Sequence, residues 1–349
     1  MFKTARPAPP SRQISWPSPQ SLARAVLALL VSGLLMAAGA GRAFADGSAG
    51  DVLFRDFYGT LTRSAPDGRS GRELSITGLP DVPLGNYFQS LDAGRKFAIF
   101  RPRSKDLETV SIHDASTARL LFTQDIPVGT DIAGPLFGDP DKYLLRTTIG
   151  SSDGNQAFIV NLRSGSLLGR VGTEGVKDDI RALPDGRLYK INSVSGRIMT
   201  AASDGVWRDF GRLQVPANMR IGVWRVSHRG DRIAIVYTRF DKSNVDWSDV
   251  WVAQLDGSGQ YRLTAQGVFN YPLWSPDDSH LSVRMDTMGS LTTLGRVYGD
   301  CGNWLLPVQA RDVTGLQFGA PHPVAREILV STGGRSTMTR ICKIAAWVR

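Results

Sequence analysis

A turn followed by a short apolar strand recurs along this chain at nearly constant spacing. The strands open at Phe97, Tyr143, Leu188, Ile233, Leu281 and Ile328, at intervals of 46, 45, 45, 48 and 47 residues. Each follows a polar or Pro/Gly-bearing turn: Asp92-Ala-Gly, Asp139-Pro-Asp, Pro184-Asp-Gly, Arg229-Gly-Asp, Pro276-Asp-Asp and His322-Pro-Val. The residue just before the strand is Lys96, Lys142, Arg187, Arg232, His280 or Glu327. A register kept over six copies at ~40–50 residues is the mark of a repeat architecture. One small sheet cannot bury both of its faces, so such units must stack on one another.

The clearest copy runs from Asp249 to Met285. It reads Asp-Val-Trp-Val-Ala-Gln-Leu, an Asp256-Gly-Ser-Gly turn, Tyr261-Arg-Leu-Thr, then Trp274-Ser-Pro-Asp-Asp and Leu281-Ser-Val-Arg-Met. Two β-rich runs around an Asp-Gly turn predict a hairpin. Leu281, Val283 and Met285 alternate with Ser282 and Arg284, the period of a half-buried strand. This stretch resembles one WD-like repeat of the TolB-type β-propellers. The expected fold is all-β: a six-bladed β-propeller of four-stranded antiparallel blades.

Only 21 residues follow Ile328, too few for a blade. Asp51-Val-Leu-Phe-Arg-Asp-Phe is similar to the run from Asp249, and Asp67-Gly-Arg-Ser-Gly to the turn from Asp256. The N-terminal strands are therefore expected to complete the last blade.

Residues 1–45 stand apart. Lys3, Arg6, Arg12 and Arg24 precede an apolar run from Ala25 to Ala40, and Ala43-Phe44-Ala45 supplies a small-x-small cleavage site. The layout is that of a signal peptide cleaved near Ala45. Its 16 apolar residues fall short of the ~20 that span a bilayer, and an uncleaved anchor is the alternative. Residues 46–349 form one expected TolB-like propeller domain, periplasmic or secreted, with no stable membrane span after cleavage. The leader holds five of the 41 basic residues and none of the 32 acids, so the remainder carries 36 − 32, or +4. Nothing in that balance calls for nucleic acid. Cys301 and Cys342 are expected to form a disulfide in an oxidising compartment, joining blades five and six; two separate buried thiols are the alternative.

Chemical motifs are sparse. Gly150-Ser-Ser-Asp-Gly154 fits a hydrolase nucleophile elbow, but the strand Ala157-Phe-Ile-Val160 follows it where that motif needs a helix. Ser151, Asp153, Asn155 and Phe158 make one degenerate copy of the Asp-box pattern of sialidases. His113, His228, His280 and His322 lie too far apart for a local metal pair, and His228 and His280 read as solvated turn residues. The segment from Asp241 to Asp249 carries Asp241, Asn244, Asp246 and Trp247. It is read as a long hairpin of blade four and an interaction surface, with a calcium loop as the lesser reading. Trp224, Phe269, Tyr271 and Trp274 are read as packing between blades, or else as the lining of a central funnel where Arg220 and Arg225 meet an acidic group.

No catalytic, cofactor-binding or metal set emerges. The expected function is an exported, non-catalytic propeller that binds a protein or a cell-envelope component, as a monomer and without a cofactor. The TolB resemblance implies a scaffold role of the kind such proteins have in the Tol-Pal envelope machinery. The α/β domain that precedes the propeller in TolB has no counterpart in the ~45 residues before the first blade. The alternatives are a hydrolase or lactonase using the central funnel, and the propeller half of a two-chain peptidase.

Overall fold

The second strand of each blade is squeezed between two neighbours, and this explains its near-continuous apolar run. In Ile233–Tyr237, Ile233, Ile235 and Tyr237 pack with Tyr189, Ile191 and Ile198 on one side. Ala234 and Val236 pack with Phe269, Trp274, Leu281 and Val283 on the other. Phe97 and Ile99 likewise face Ala346 and Val348, while Ala98 and Phe100 face Ile132, Tyr143 and Leu145. Successive strand residues point to opposite faces, so burial on both leaves no polar side. Leu281–Met285 follows the same rule: Ser282 is buried as completely as Leu281 and Val283, and the strand is covered on both faces.

The structure, a computed structural model, describes residues 50–349 except 56–60, 67–71, 74–86, 128–129, 137–138, 148–156, 172–177, 203–205, 242–243, 287–290, 293–294, 297–299, 332–337 and 342–343. Residues 47–349 cluster as one compact unit. Six sheets form it, as expected. Blade one comprises Tyr87–Leu91, Lys96–Pro102, Leu107–Asp114 and Leu120–Pro127. Blade two comprises Thr130–Leu136, Asp139–Thr147, Ala157–Asn161 and Ser166–Val171. Asp178–Ala182, Leu188–Asn192, Arg197–Ala201 and Trp207–Arg212 make blade three. Arg220–Val226, Arg232–Asp241, Asn244–Gln254 and Tyr261–Arg262 make blade four. Blade five has five strands: Phe269–Trp274, His280–Asp286, Cys301–Pro307, Arg326–Ser331 and Met338–Arg340. A small hairpin, Leu291–Thr292 with Gly295–Arg296, lies between its second and third strands. All pairings within the blades are antiparallel. Among the described residues the helical content is one 3-10 turn at Asp92–Gly94, and no helix is long and apolar enough to cross a membrane.

The sixth blade is assembled from both ends of the chain. Ile344–Val348 is its first strand, and Asp51–Arg55, Leu61–Ser64 and Arg72–Glu73 follow. First strands touch across blades six and one, one and two, two and three, and four and five, which places them around the axis. The Arg63 guanidinium fastens the closure: it donates to Asp51 Oδ2 at 2.6 Å, to the Ala115 carbonyl of blade one at 2.9 Å and to the Arg349 carbonyl at 2.5 Å. The Arg349 amide donates in turn to the Gly94 carbonyl, and Ser90 Oγ to that of Trp347.

One register expectation fails. Ile328 does not head a sixth equivalent strand but lies in the fourth strand of blade five, beside Asn303. A connection over 308–325 folds back so that Val313 bridges Thr264 of the exit from blade four, and its length pushes the fourth strand onto the repeat period. The sixth equivalent position falls in Asp51–Arg55, which is therefore a second strand rather than the counterpart of Asp249. Cys301 consequently begins the third strand of blade five. Cys342 itself lies outside the described residues.

Candidate functional site

The antiparallel order gives the ring two unlike ends. At one, the turns joining first to second strands hold each other. The Asp278 carboxylate, 1 % exposed and at φ 60°, accepts the His228 and Arg229 amides of the neighbouring turn, each at 2.8 Å. Arg232 donates to the Asp278 carbonyl, and Arg349 to that of Pro276. Gly50 and Gly94, both at positive φ, lie close to Pro276: a Cβ on Gly50 would collide with its ring, and one on Gly94 would press on it and on the Trp347 carbonyl. His228 and His280 are covered by this packing, against the expectation of solvated turn residues. Burial lowers the pKa of both, and of His113, which stacks on Phe97 at 5.1 Å. Among the described residues no three His, Cys, Asp or Glu side chains gather as a metal set.

The other end carries the hairpins joining second to third strands. Among the described residues blade four has the longest strands, of 10 and 11 residues. Asp241 pairs with Asn244 and Arg239 with Trp247, so the segment from Asp241 to Asp249 is strand on both sides of a two-residue tip. The side chains of Asp241, Asn244 and Asp246 lie outside the described residues. Trp247 is half-buried against Gly267, where an added Cβ would come within 2.5 Å of its ring. Asp249 is fully buried and belongs to the framework. Its carboxylate accepts the Thr264 hydroxyl at 2.7 Å and the amides of Gln266 and Gly267. Burial pushes its pKa up to about 6, ahead of these stabilising hydrogen bonds. It is not a surface ligand for calcium.

Arg220 and Arg225 do not meet. Arg220 is exposed at the arm end of the first strand of blade four, opposite Thr238. Arg225 lies five residues on, about 16 Å away at strand rise, with its carbonyl taken by the Trp274 indole N–H at 2.9 Å. Trp224, Phe269 and Trp274 are buried between blades, and Trp224 meets Tyr189 edge-on at 5.6 Å.

Tyr271 departs from that pattern. It is 53 % exposed on the first strand of blade five, at φ 46°, where Tyr271 and Pro272 together oppose Val283 in a bulge. Asn270 Nδ2 donates to Asp286 at 2.8 Å and Arg284 Nε to the same carboxylate at 2.7 Å. The Arg284 guanidinium stands 5.7 Å from the Tyr271 ring centre. The sequence reading did not gather this cluster, although a proline inside an inner strand is the local sign of a bulge. The Gly150–Gly154 motif lies outside the described residues.

No family model matches this sequence, and no curated protein matches it. Solved structures do. TolB from Acinetobacter baumannii superposes with a TM-score of 0.51 at 15 % identity, over 75 % of this chain and 61 % of TolB, so this chain spans under two thirds of that protein. Hydrazine synthase of Kuenenia stuttgartiensis matches at TM-score 0.42 and 14 % identity, covering 69 % of this chain and 76 % of that one. An oligogalacturonate lyase in complex with manganese matches at 0.39 and 15 %, covering 68 % and 74 %. At these identities the likeness is one of fold. The fold of this chain is a six-bladed β-propeller of the TolB type.

Proposed function

We propose that residues 46–349 are exported to the periplasm or beyond and act as a non-catalytic scaffold that binds a protein or another cell-envelope component. The observation that carries this reading is the blade-four arm: the longest strand pair among the described residues, rooted by Asp249 and Trp247, with Arg220 at its base. A rigid ring holding one extended arm presents a shaped surface at little ordering cost. The contact residues are Asp241, Asn244, Asp246, Trp247 and Arg220. Arg225 drops out of this surface, because it lies at the far end of its strand.

Affinity capture of the mature chain from its own envelope fraction tests the reading, beside a variant carrying Asp241→Lys, Asp246→Lys and Arg220→Glu. One partner should be retained by the parent and lost from the variant, with unchanged melting. Equal recovery from both removes the arm. N-terminal sequencing of the exported form should begin at Asp46; a protein still carrying Met1 in the membrane fraction would replace cleavage by anchoring.

A disulfide between Cys301 and Cys342 belongs to the same reading. Its support is local: Asn303, two residues past Cys301, donates to the Ile341 carbonyl at 2.8 Å, which holds the chain beside Cys342 against that strand.

A further inference from the structure

Tyr271 adopts a backbone conformation that its side chain disfavours. Left-handed φ is uncommon for a bulky residue and persists where the surroundings impose it, often at binding sites. Bulges re-aim side chains, and this one leaves the ring exposed while Phe269 and Trp274 of the same strand are buried. Next to it, Asn270 Oδ1 is shielded from water and accepts no hydrogen bond. The bond from Nδ2 to Asp286 fixes which way the amide points, since its oxygen would be repelled by that carboxylate. Adjacent residues thus hold a strained backbone and an unpartnered buried acceptor, and among the described residues nothing relieves either.

The chemistry of the surroundings narrows what would relieve them. A cation is opposed by the Arg284 guanidinium over the Tyr271 ring. A purely apolar ligand leaves Asn270 Oδ1 as it is. A simple anion finds Arg284 already bonded to Asp286 and gains nothing from an acceptor oxygen. A sugar ring satisfies both demands: one face of C–H groups to lie on an aromatic ring, and hydroxyls to donate to an acceptor.

We propose that Tyr271 and Asn270, with Arg284 and Asp286 behind them, form a saccharide-binding subsite on the axial wall of blade five. The sugar lies on the exposed part of the Tyr271 ring. As the ring shifts, its backbone relaxes and Asn270 Oδ1 opens to one sugar hydroxyl. The subsite uses none of the arm residues and does not rest on the scaffold reading.

Saturation-transfer NMR on the mature chain, with maltotriose and chitotriose as probes and trialanine as competitor, tests this. At least one trisaccharide should receive saturation at its ring C–H protons, with a millimolar Kd. Tyr271→Gly removes the ring while allowing positive φ, so it should weaken binding about tenfold or more with melting unchanged or raised. Asn270→Ala should weaken binding to a similar degree. Arg220→Glu should leave sugar binding intact even where it abolishes partner capture, so the two readings fail separately. Absence of transfer to both sugars overturns the proposal, as does equal binding by Tyr271→Gly. Displacement of the sugar by equimolar trialanine would make this a peptide site and also overturn it.

Discussion

At one end of the ring the turns grip each other across blades, through Asp278 on two amides, Pro276 against two glycines and Arg349 on the Pro276 carbonyl. At the other end, among the described residues, blade four carries the longest strand pair, of 10 and 11 residues. The Asp278 contacts connect residues about fifty apart in sequence, one repeat, and those of Pro276 reach residues much further along the chain, so a change in one turn is felt by others. The arm has its own strand pairing, and its described root packs through Asp249 and Trp247. A repeat protein can vary where its units do not hold each other, and that is where loops become free for binding.

The sharpest way to test that division is to cut the bond proposed for the arm-side end. A Cys301–Cys342 bridge closes a loop of about 40 residues, and Cys301→Ser, or reduction of the parent, should remove about 4 kcal/mol in urea unfolding. No shift on reduction would mean separate thiols. Next, Asp278→Ala leaves two part-buried amides without their acceptor and should cost about 3 kcal/mol, visible as a lower urea midpoint at unchanged slope. Asp278→Asn keeps an acceptor and tolerates the positive φ, so it should recover part of that loss.

A further effect, of about 3 kcal/mol, separates the arm root by pH. The Asp249 pKa in the fold, about 6, lies above the ordinary 3.8, so the folded state binds this proton first. Its contribution therefore rises as pH falls from 6 towards 4. The histidines act oppositely: burial lowers their folded values below 6.5, and stability is lost as pH drops through that point. Asp249→Asn should keep the histidine-driven loss while removing the opposing gain, so its melting temperature should fall more steeply with acid than the parent's. Parallel curves would refute the assignment. Smallest of all, Asp241→Lys with Asp246→Lys should move stability by no more than about 0.5 kcal/mol; a large loss would show that the arm tip is framework after all.

The ring was legible because two-sided burial writes itself into sequence. Phe97-Ala-Ile-Phe and Ile233-Ala-Ile-Val-Tyr can be read as buried strands without knowing what covers them. Ile328 misled for the same reason: an outer strand that is itself buried, with Ile328 and Val330 fully covered, mimics a second strand when a loop sets it at the right interval. The sites were less legible. The hold of Asp278 on His228 and Arg229 joins residues one repeat apart, and its turn looks like any Asp-rich turn. Tyr271 could be picked out as an aromatic near the axis, but its strain and the partners Asn270, Arg284 and Asp286 depend on a bulge that only Pro272 hinted at.

The sixth blade carries a consequence for how the molecule comes into being. Ile344–Val348 lies beside Asp51–Arg55, so almost three hundred residues separate partners that must zip together. Contacts so remote in sequence form late and slowly. Five sheets can gather while the ring is still open, but the final seam waits for both tails, and Arg63 can tie its knot only once Arg349 has arrived.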